Sequence, residues 1–373
     1  MTRRLLNLGC GEKYHTDWVN VDFHSSSPAV RAHDLTEKLP FEDDFFDVVY
    51  HSHVVEHLPK YYVPMFFHEC FRVLKPGGII RVVVPDLEQI VRIYLGLVER
   101  ALHNDNVAQE RYNWILLEML DQMTRNQPGG EMLKYLMQNP MPAEDFVIAR
   151  VGPEAVNMIN HLRNPRGEQG SGEGATYYEE DYETIGKFRL SGEVHQWMYD
   201  RYSLKILLSS AGFDNAKQCR ADESAIPGFN DFYLDAERDG SVRKPDSLFM
   251  EAVKPLQESS SAREARIEAI QKLDAQLREH KAGRGTKIGL YAQLDAQLKE
   301  KEAALSGLHA HMKEREAALS EFQAKYLALD TQLKVAVDEL RQVQQELLQV
   351  KSSWSWKLTR PLRWCRARLM GKK

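Results

Sequence analysis

The segment HSHVVEHL, residues 51 to 58, crowds His51, His53, Glu56 and His57 into seven positions. Imidazole titrates near neutrality, so histidines at this density suit proton transfer or metal ligation. His53 to His57 also spells H-x-x-E-H, a pattern in which helix-borne histidines hold zinc for peptide hydrolysis. Here the apolar, β-branched run FDVVYH leads straight into the segment, which therefore starts at a strand end rather than inside a helix. The zinc-protease reading is rejected and no metal site is expected, although Glu56 with a histidine leaves divalent-metal binding open. Nearer the N-terminus, LLNLGCG places Gly9, Cys10 and Gly11 directly after an apolar run, and WVNVDF carries a second run to Asp22. Glycines after a first strand let the backbone turn tightly and come close to a ligand. An acid ending the next strand can accept hydrogen bonds from both hydroxyls of a ribose. Gly9, Gly11 and Asp22 thus point to an adenosine-containing ligand. Tyr14 stands where a dinucleotide fingerprint would have its third glycine, which argues against a pyrophosphate.

Two more polar residues are candidates. Asp86 follows IIRVVVP, and strand ends in open α/β sheets face the ligand crevice. Its structural role would be to cap the helix that follows, for which Asp is well suited. His195, in GEVHQWMYD, stands just before another helical pattern.

An alternation of strand and helix must hold these residues. RLLNLG, WVNVDF, FDVVYH and IIRVVVP are short and apolar, and YYVPMFFHECFRVL repeats apolar residues at helical spacing. Strands alternating with helices predict a parallel sheet with helices on its faces. Between about 88 and 190 the pattern turns helical (LEQIVRIYLGLVERAL, ERYNWILLEMLDQM) and ends near a Gly-rich loop, NPRGEQGSGEG, which predicts a helical insertion. The αβ pattern resumes at 197 with a helix closed by Gly212 and a last strand, SLFMEAVKP.

In combination these motifs resemble the class I S-adenosylmethionine-dependent methyltransferases. The resemblance rests on LNLGCG, WVNVD, the stretch HDLTEKLPFEDDFFDVVYHSHVVEHL, FRVLKPGGIIRVVVPD and LKILLSSAGF. It is closest to the small methyltransferases of bacterial surface-polysaccharide clusters and covers about residues 3 to 255, without most of the insertion. It implies a Rossmann-like sheet and S-adenosylmethionine as cofactor. Gly9, Cys10 and Gly11 would form the loop under the methionine part, and Asp22 would hold the ribose. Asp34, with the backbone at Leu35, would sit beside the adenine, and His51 and Ser52 would line the cofactor pocket. Few residues separate Gly11 from Asp22, so the family's usual first helix is expected to be short or missing. Methyl transfer to a hydroxyl needs an oriented acceptor and a base for its proton. His57 is the first candidate, followed by His53, Asp86 and His195; similar family members place an acceptor-side histidine at the position of His195.

The rest of the chain is of another kind. Net charge is −5, and neither a DPPY-like motif nor a Pro-Cys nucleophile is present, so nucleic acid is not an expected substrate. The four cysteines are far apart and form no CxxC pair, which fits a reducing cytoplasm. No signal peptide and no membrane-length apolar run is recognised. Alternate steps of three and four from Leu298 pass through Leu305, Leu319, Leu333 and Leu347 to Trp354, with only Lys301 and Arg315 charged. Such a seam predicts a coiled coil over 262–353, with a break at the GRG of 283 to 285. The last residues, 354–373, place Trp354, Leu358, Leu362, Cys365 and Leu369 on one helical face, with arginines largely elsewhere. Tryptophans beside a basic face favour an anionic membrane interface. The segment also resembles a SxSW-x-LT-x-PLR tail found on bacterial polysaccharide enzymes.

The expected protein has a methyltransferase domain over 1–256, a coiled coil and a basic amphipathic tail. It would be a cytoplasmic enzyme peripheral to the inner membrane, assembled as a homo-oligomer or with a partner coil. Its expected reaction is O-methylation of a sugar of a surface polysaccharide or of its lipid-linked precursor. Two other readings stand beside it: a coiled-coil scaffold whose domain binds cofactor without turnover, and a small-molecule methyltransferase.

Overall fold

The computed structural model describes residues 3–25, 27–163, 181–353 and 367. They fall into two units, Met1–Lys281 and Ala282–Lys373. The first is built on a seven-stranded sheet: β1 (Leu5–Leu8), β2 (Val19–Asp22), β3 (Val30–Ala32), β4 (Phe46–Ser52), β5 (Leu74–Pro85), β6 (Asp214–Cys219) and β7 (Ser247–Val253). The strand order is β3-β2-β1-β4-β5-β7-β6. The pairs from β3 across to β5 are parallel, whereas β7 runs antiparallel to both β5 and β6. The chain order reverses between β1 and β4, and open α/β sheets bind ligands at such a switch.

Burial on both faces explains the apolar character of the central strands. All four residues of β1 are buried. On one face helix α1 (Val63–Val73) packs Val63, Phe66, Phe67, Cys70 and Phe71 against the sheet, with a proline in its first turn. The first 3.6-period stripe of the sequence is thus a sheet-covering helix, and β5 follows it directly. On the other face Arg81 of β5 is fully buried. Its guanidinium meets Asp235 Oδ2 at 2.6 Å and Glu251 Oε1 at 2.7 Å, and donates to the carbonyls of Arg220, Ala221 and Glu223. Tyr50 Oη donates to the other Asp235 oxygen at 2.6 Å. These bonds fasten the segment between β6 and β7 onto the sheet. Removing one partner of such a buried pair costs about 3–5 kcal/mol.

No helix lies between β1 and β2; residues 9 to 18 form turns, as the short spacing implied. Between β5 and β6 stand α2 (Leu87–Leu102), α3 (Asn106–Thr124), α4 (Gly130–Leu136), α5 (Glu144–Val151), α6 (Pro153–Arg163) and α7 (Tyr182–Arg189). This helical insertion has a core of its own, centred on Trp114, Tyr135, Val147 and Ile159. The Gly-rich loop predicted at 164–174 lies outside the described residues. Helix α8 (Arg201–Ser210) returns the chain to the sheet and opens with a capping box between Asp200 and Ser203.

Two expectations are corrected. The compact unit extends beyond 256, because the first part of α9 (Ser260–Ser352) belongs to it. Leu277 joins the core there, and Arg266 pairs with Glu258 at 2.8 Å. Nor does the helix break at GRG: α9 is continuous through residues 283 to 285. Glycine costs a helix only about 1 kcal/mol relative to alanine, and strong helix formers flank it here. In the second unit the helical seam is uncovered; Leu305, Leu319, Phe322, Leu329 and Leu333 stay 59–68% exposed. The tail at 354–373 lies outside the described residues, apart from 367.

Candidate active site

The first loop follows β1 and folds over the end of β2. Gly9 has φ +64° and its N–H donates to Val21 O at 2.8 Å. A Cβ on Gly9 would lie 2.3 Å from Val54 Cγ2, so the loop sits hard against the chain leaving β4. Gly11 has φ +54°, and a Cβ there would meet nothing within 4 Å. Its N–H donates to Asp22 Oδ2 at 2.8 Å. Among the described residues the second carboxylate oxygen of Asp22 has only the N–H of His24, at 3.4 Å, and remains available to a ligand. Cys10 is buried, and burial followed by the charge of Asp22 pushes its thiol up to about 11. It is an inert wall of the loop and not a nucleophile. Asp34 accepts from both the N–H and the hydroxyl of Thr36 at 2.8 Å, which fixes the turn after β3; Leu35 packs against the core. A left-handed glycine loop beside open space, with a half-free carboxylate at the next strand end, fits the ribose and methionine parts of S-adenosylmethionine.

The strand end of β4 builds the other half. His53 has φ +54°, its N–H donates to Val83 O at 2.9 Å, and its Nε2 lies 2.9 Å from Ser247 Oγ. Glu56 is fully buried, with His53 Nδ1 3.1 Å from Oε1, off the direction of a hydrogen bond. The His57 ring stands edge-on to the His195 ring, with centroids 4.7 Å apart. His195 is delivered by backbone bonds: its N–H donates to Gln122 O, and the N–H groups of Gln196 and Trp197 donate to Glu56 O. His53, His57 and His195 line a cavity of about 400 Å³ with Trp114, Glu118 and Gln122 of α3. That volume lies in the range of small-ligand sites. Burial holds the histidines neutral. It lowers His57, takes His53 to about 3 and takes His195 to about 2, with the neighbouring His57 adding to the last. Burial raises Glu56 above the usual carboxylate range.

The structure thus brings together three of the four predicted acceptor-side residues. Asp86 does not join them. It caps α2, accepting from Gln89 N at 3.1 Å, so its helix-capping role is the one the fold uses. His51 is corrected too. It is 0% exposed and packs between Phe66 and Phe67 at ring distances of 5.2 and 5.8 Å, inside the core and not on a pocket wall. Ser52 is half-buried at the end of β4. Glu118 and Arg150 were missed. Arg150 of α5 pairs with the buried Glu118, which also takes the indole N–H of Trp114 at 3.2 Å. Lys244 and Asp246, before β7, complete the polar wall. A signal for Glu118 existed: Trp114, Glu118 and Gln122 recur every four residues along α3, placing an acid on the buried stripe.

Residues 6–82 match the family model described as a methyltransferase domain. A probable S-adenosylmethionine-dependent methyltransferase of Mycolicibacterium smegmatis is 36% identical over 101 residues, covering 22% of this chain and 38% of the relative. The demethylmenaquinone methyltransferase of Staphylococcus aureus is 32% identical over 121 residues, covering 31% of this chain and 46% of the relative. The chain thus spans less than half the length of either. A solved S-adenosylmethionine-dependent methyltransferase from Archaeoglobus fulgidus aligns with 68% of this chain and 86% of its own at 14% identity, with a TM-score of 0.29. The matched methyltransferase region covers β1 to most of β5, and so includes the glycine loop, Asp22 and the HSHVVEHL segment; the insertion that roofs the cavity lies outside it.

Proposed function

We propose that this chain is an S-adenosylmethionine-dependent methyltransferase that methylates a sugar hydroxyl of a surface polysaccharide or of its lipid-linked precursor. The observation that carries the reading is the convergence of His53, His57 and His195 on one cavity, just beyond a loop whose Gly9 abuts Val54. Bound S-adenosylmethionine supplies an electrophilic methyl group on a sulfonium. Gly9 and Gly11 give that cofactor backbone access, and Asp22 offers its free oxygen to the ribose. His57 lines the cavity, and among the described residues its Nδ1 has no hydrogen-bond partner, so a neutral imidazole is available to take the acceptor proton. Glu118, Arg125, Lys244 and Asp246 give the wall the donors and acceptors that a polyhydroxylated ligand needs.

The exposed seam of α9 is assigned to a second copy or a partner coil, since burying its leucines favours association. The basic tail is assigned to an anionic membrane surface, where a lipid-linked acceptor would reside. A small-molecule acceptor is the second reading, favoured by the apolar part of the cavity: Trp114, Met132, Leu133, Leu136 and Met158. Mass spectrometry of the cell's glycans, with and without this chain, distinguishes the two. The expected result is one lost methyl group on a sugar, and in purified protein about a hundredfold slower transfer for His57→Ala. Unaltered glycans, together with methyl transfer to a small metabolite, would replace the glycan reading by the second.

A further inference from the structure

Glu56 is the least explained residue of the site. It is 0% exposed, yet among the described residues neither of its carboxylate oxygens receives a hydrogen bond. Buried carboxylates are normally hydrogen-bonded, paired or bound to metal. Lys244, a cation whose charge acts on it, is engaged with Glu154 at 3.5 Å. Beside Glu56 stand two other groups with metal-binding atoms. One oxygen of Glu56 and one ring nitrogen each of His57 and His195 all lie within 4.8 Å of one another. His57 Nδ1 is buried and unpartnered as well.

We propose that Glu56, His57 and His195 bind a single divalent cation of the zinc class at the inner wall of the cavity. Two imidazoles and one carboxylate suit first-row transition ions, whereas Mg²⁺ and Ca²⁺ prefer all-oxygen sets. Three protein ligands leave one position open, the arrangement of catalytic zinc sites. Bonds of about 2.0–2.2 Å put tetrahedral ligand atoms roughly 3.4 Å apart, so small side-chain rotations close the set. The frame for this is already tied. Gln196 N and Trp197 N donate to Glu56 O at 2.6 and 3.3 Å, which fixes the segment bearing His195 against the turn bearing Glu56 and His57. His53, held by Ser247, keeps its Nδ1 3.1 Å from Oε1 of the carboxylate. His57 and His195 both line the cavity, so the open position faces the acceptor. A hydroxyl-bearing acceptor is the ligand class that fits there. Its oxygen would bind the ion, and its O–H bond would break with the proton passing to Asp246, a carboxylate of the same cavity wall, because His57 is then a ligand and not the base. That role rests on the methyltransferase reading; binding of the ion does not.

The test uses the full, untagged chain, stripped of metal and dialysed against Zn²⁺ or Co²⁺. Metal per chain is measured by mass spectrometry and affinity by calorimetry; the visible spectrum of the Co²⁺ form reports nitrogen ligation. One ion per chain is expected, with at least tenfold weaker binding in Glu56→Gln and in His195→Gln. Circular dichroism checks their folds, and His57→Gln replaces either variant that does not fold. No uptake by the wild type, or undiminished uptake in the folded variants, overturns the site. S-adenosylmethionine binding is measured in the same samples. If it persists without metal uptake, the ion alone is lost. If metal is taken up without it, the ion site stands and the methyltransferase reading falls.

Discussion

At the scale of single residues, Asp22 joins the two halves of the cofactor loop. One oxygen holds Gly11 N at 2.8 Å, and the other takes only the long contact from His24 N at 3.4 Å among the described residues, which leaves room for the proposed ribose contact. Asp22→Ala is expected to weaken S-adenosylmethionine binding by roughly tenfold or more, since hydrogen bonds to a charged acceptor are worth about 1.5–3 kcal/mol. Unchanged affinity by calorimetry would remove Asp22 from the site. Gly9, Gly11 and Asp22 were legible in the sequence because their geometry is local: a tight turn needs glycine, and a strand end needs only its own last residue. His51 was misread although parity was available. Side chains two apart in a strand share a face, and Val49 of the same strand belongs to the core beneath α1. His51 therefore points into that core, where burial takes its pKa to about 3; His68, also buried, is lowered to about 4. Both stay neutral in the fold while the unfolded chain protonates them near 6.5. Below that pH the unfolded state binds more protons, so stability falls as pH drops from about 6.5 toward 4. Each histidine contributes at most about 1.4 kcal/mol per pH unit there. Buried Asp246, whose pKa is raised by burial, acts in the opposite sense, because the fold favours its protonated form. His51→Leu is expected to flatten the slope of melting temperature against pH by one proton. An unchanged slope would mean that the imidazole is charged in the fold.

At the scale of elements, the site depends on two strand ends pressed together. Gly9→Ala puts an L side chain at φ +64° and its Cβ onto Val54 Cγ2. The left-handed backbone costs about 1–2 kcal/mol and the overlap about 1–3 more. A loss of about 2 kcal/mol or more should lower the melting temperature by several degrees. Val54→Ala in the same chain is expected to recover the overlap part and leave the backbone part. If the double variant melted no higher than Gly9→Ala, the close approach would not be the cause. The His53–Glu56–His57 cluster was legible because a strand end carries it within five residues. The cavity's far wall was not. Glu118 comes from α3, Arg150 from α5, and Lys244 and Asp246 from the turn before β7, and only tertiary packing brings them together. Asp86 shows the converse: its helix-capping geometry was readable from the helix that follows it, and the cap won over the ligand rim.

At the scale of the whole chain, period and composition made the long helix legible, but not its continuity through GRG. The seam of α9 leaves Leu329 and Leu333 exposed on a single helix. Exposed leucines at heptad spacing favour association because each buried CH₂ contributes about 0.8 kcal/mol. Assembly would place two or more basic tails side by side. One amphipathic tail binds a membrane reversibly, whereas several on one assembly act at a high effective concentration. Leu329→Asp with Leu333→Asp is therefore expected to shift the protein to monomer in analytical ultracentrifugation. It should also weaken its binding to vesicles containing an anionic lipid, although each tail remains whole. Deleting 354–373 should abolish vesicle binding while leaving the oligomer and S-adenosylmethionine affinity unchanged. Both effects should be largest at low salt, because the arginines of the tail act through a field that salt screens within about 10 Å at 0.1 M. A wild-type chain that is monomeric at micromolar concentration would remove the seam as an assembly device. A truncated chain that still sediments with vesicles would move membrane binding to another surface.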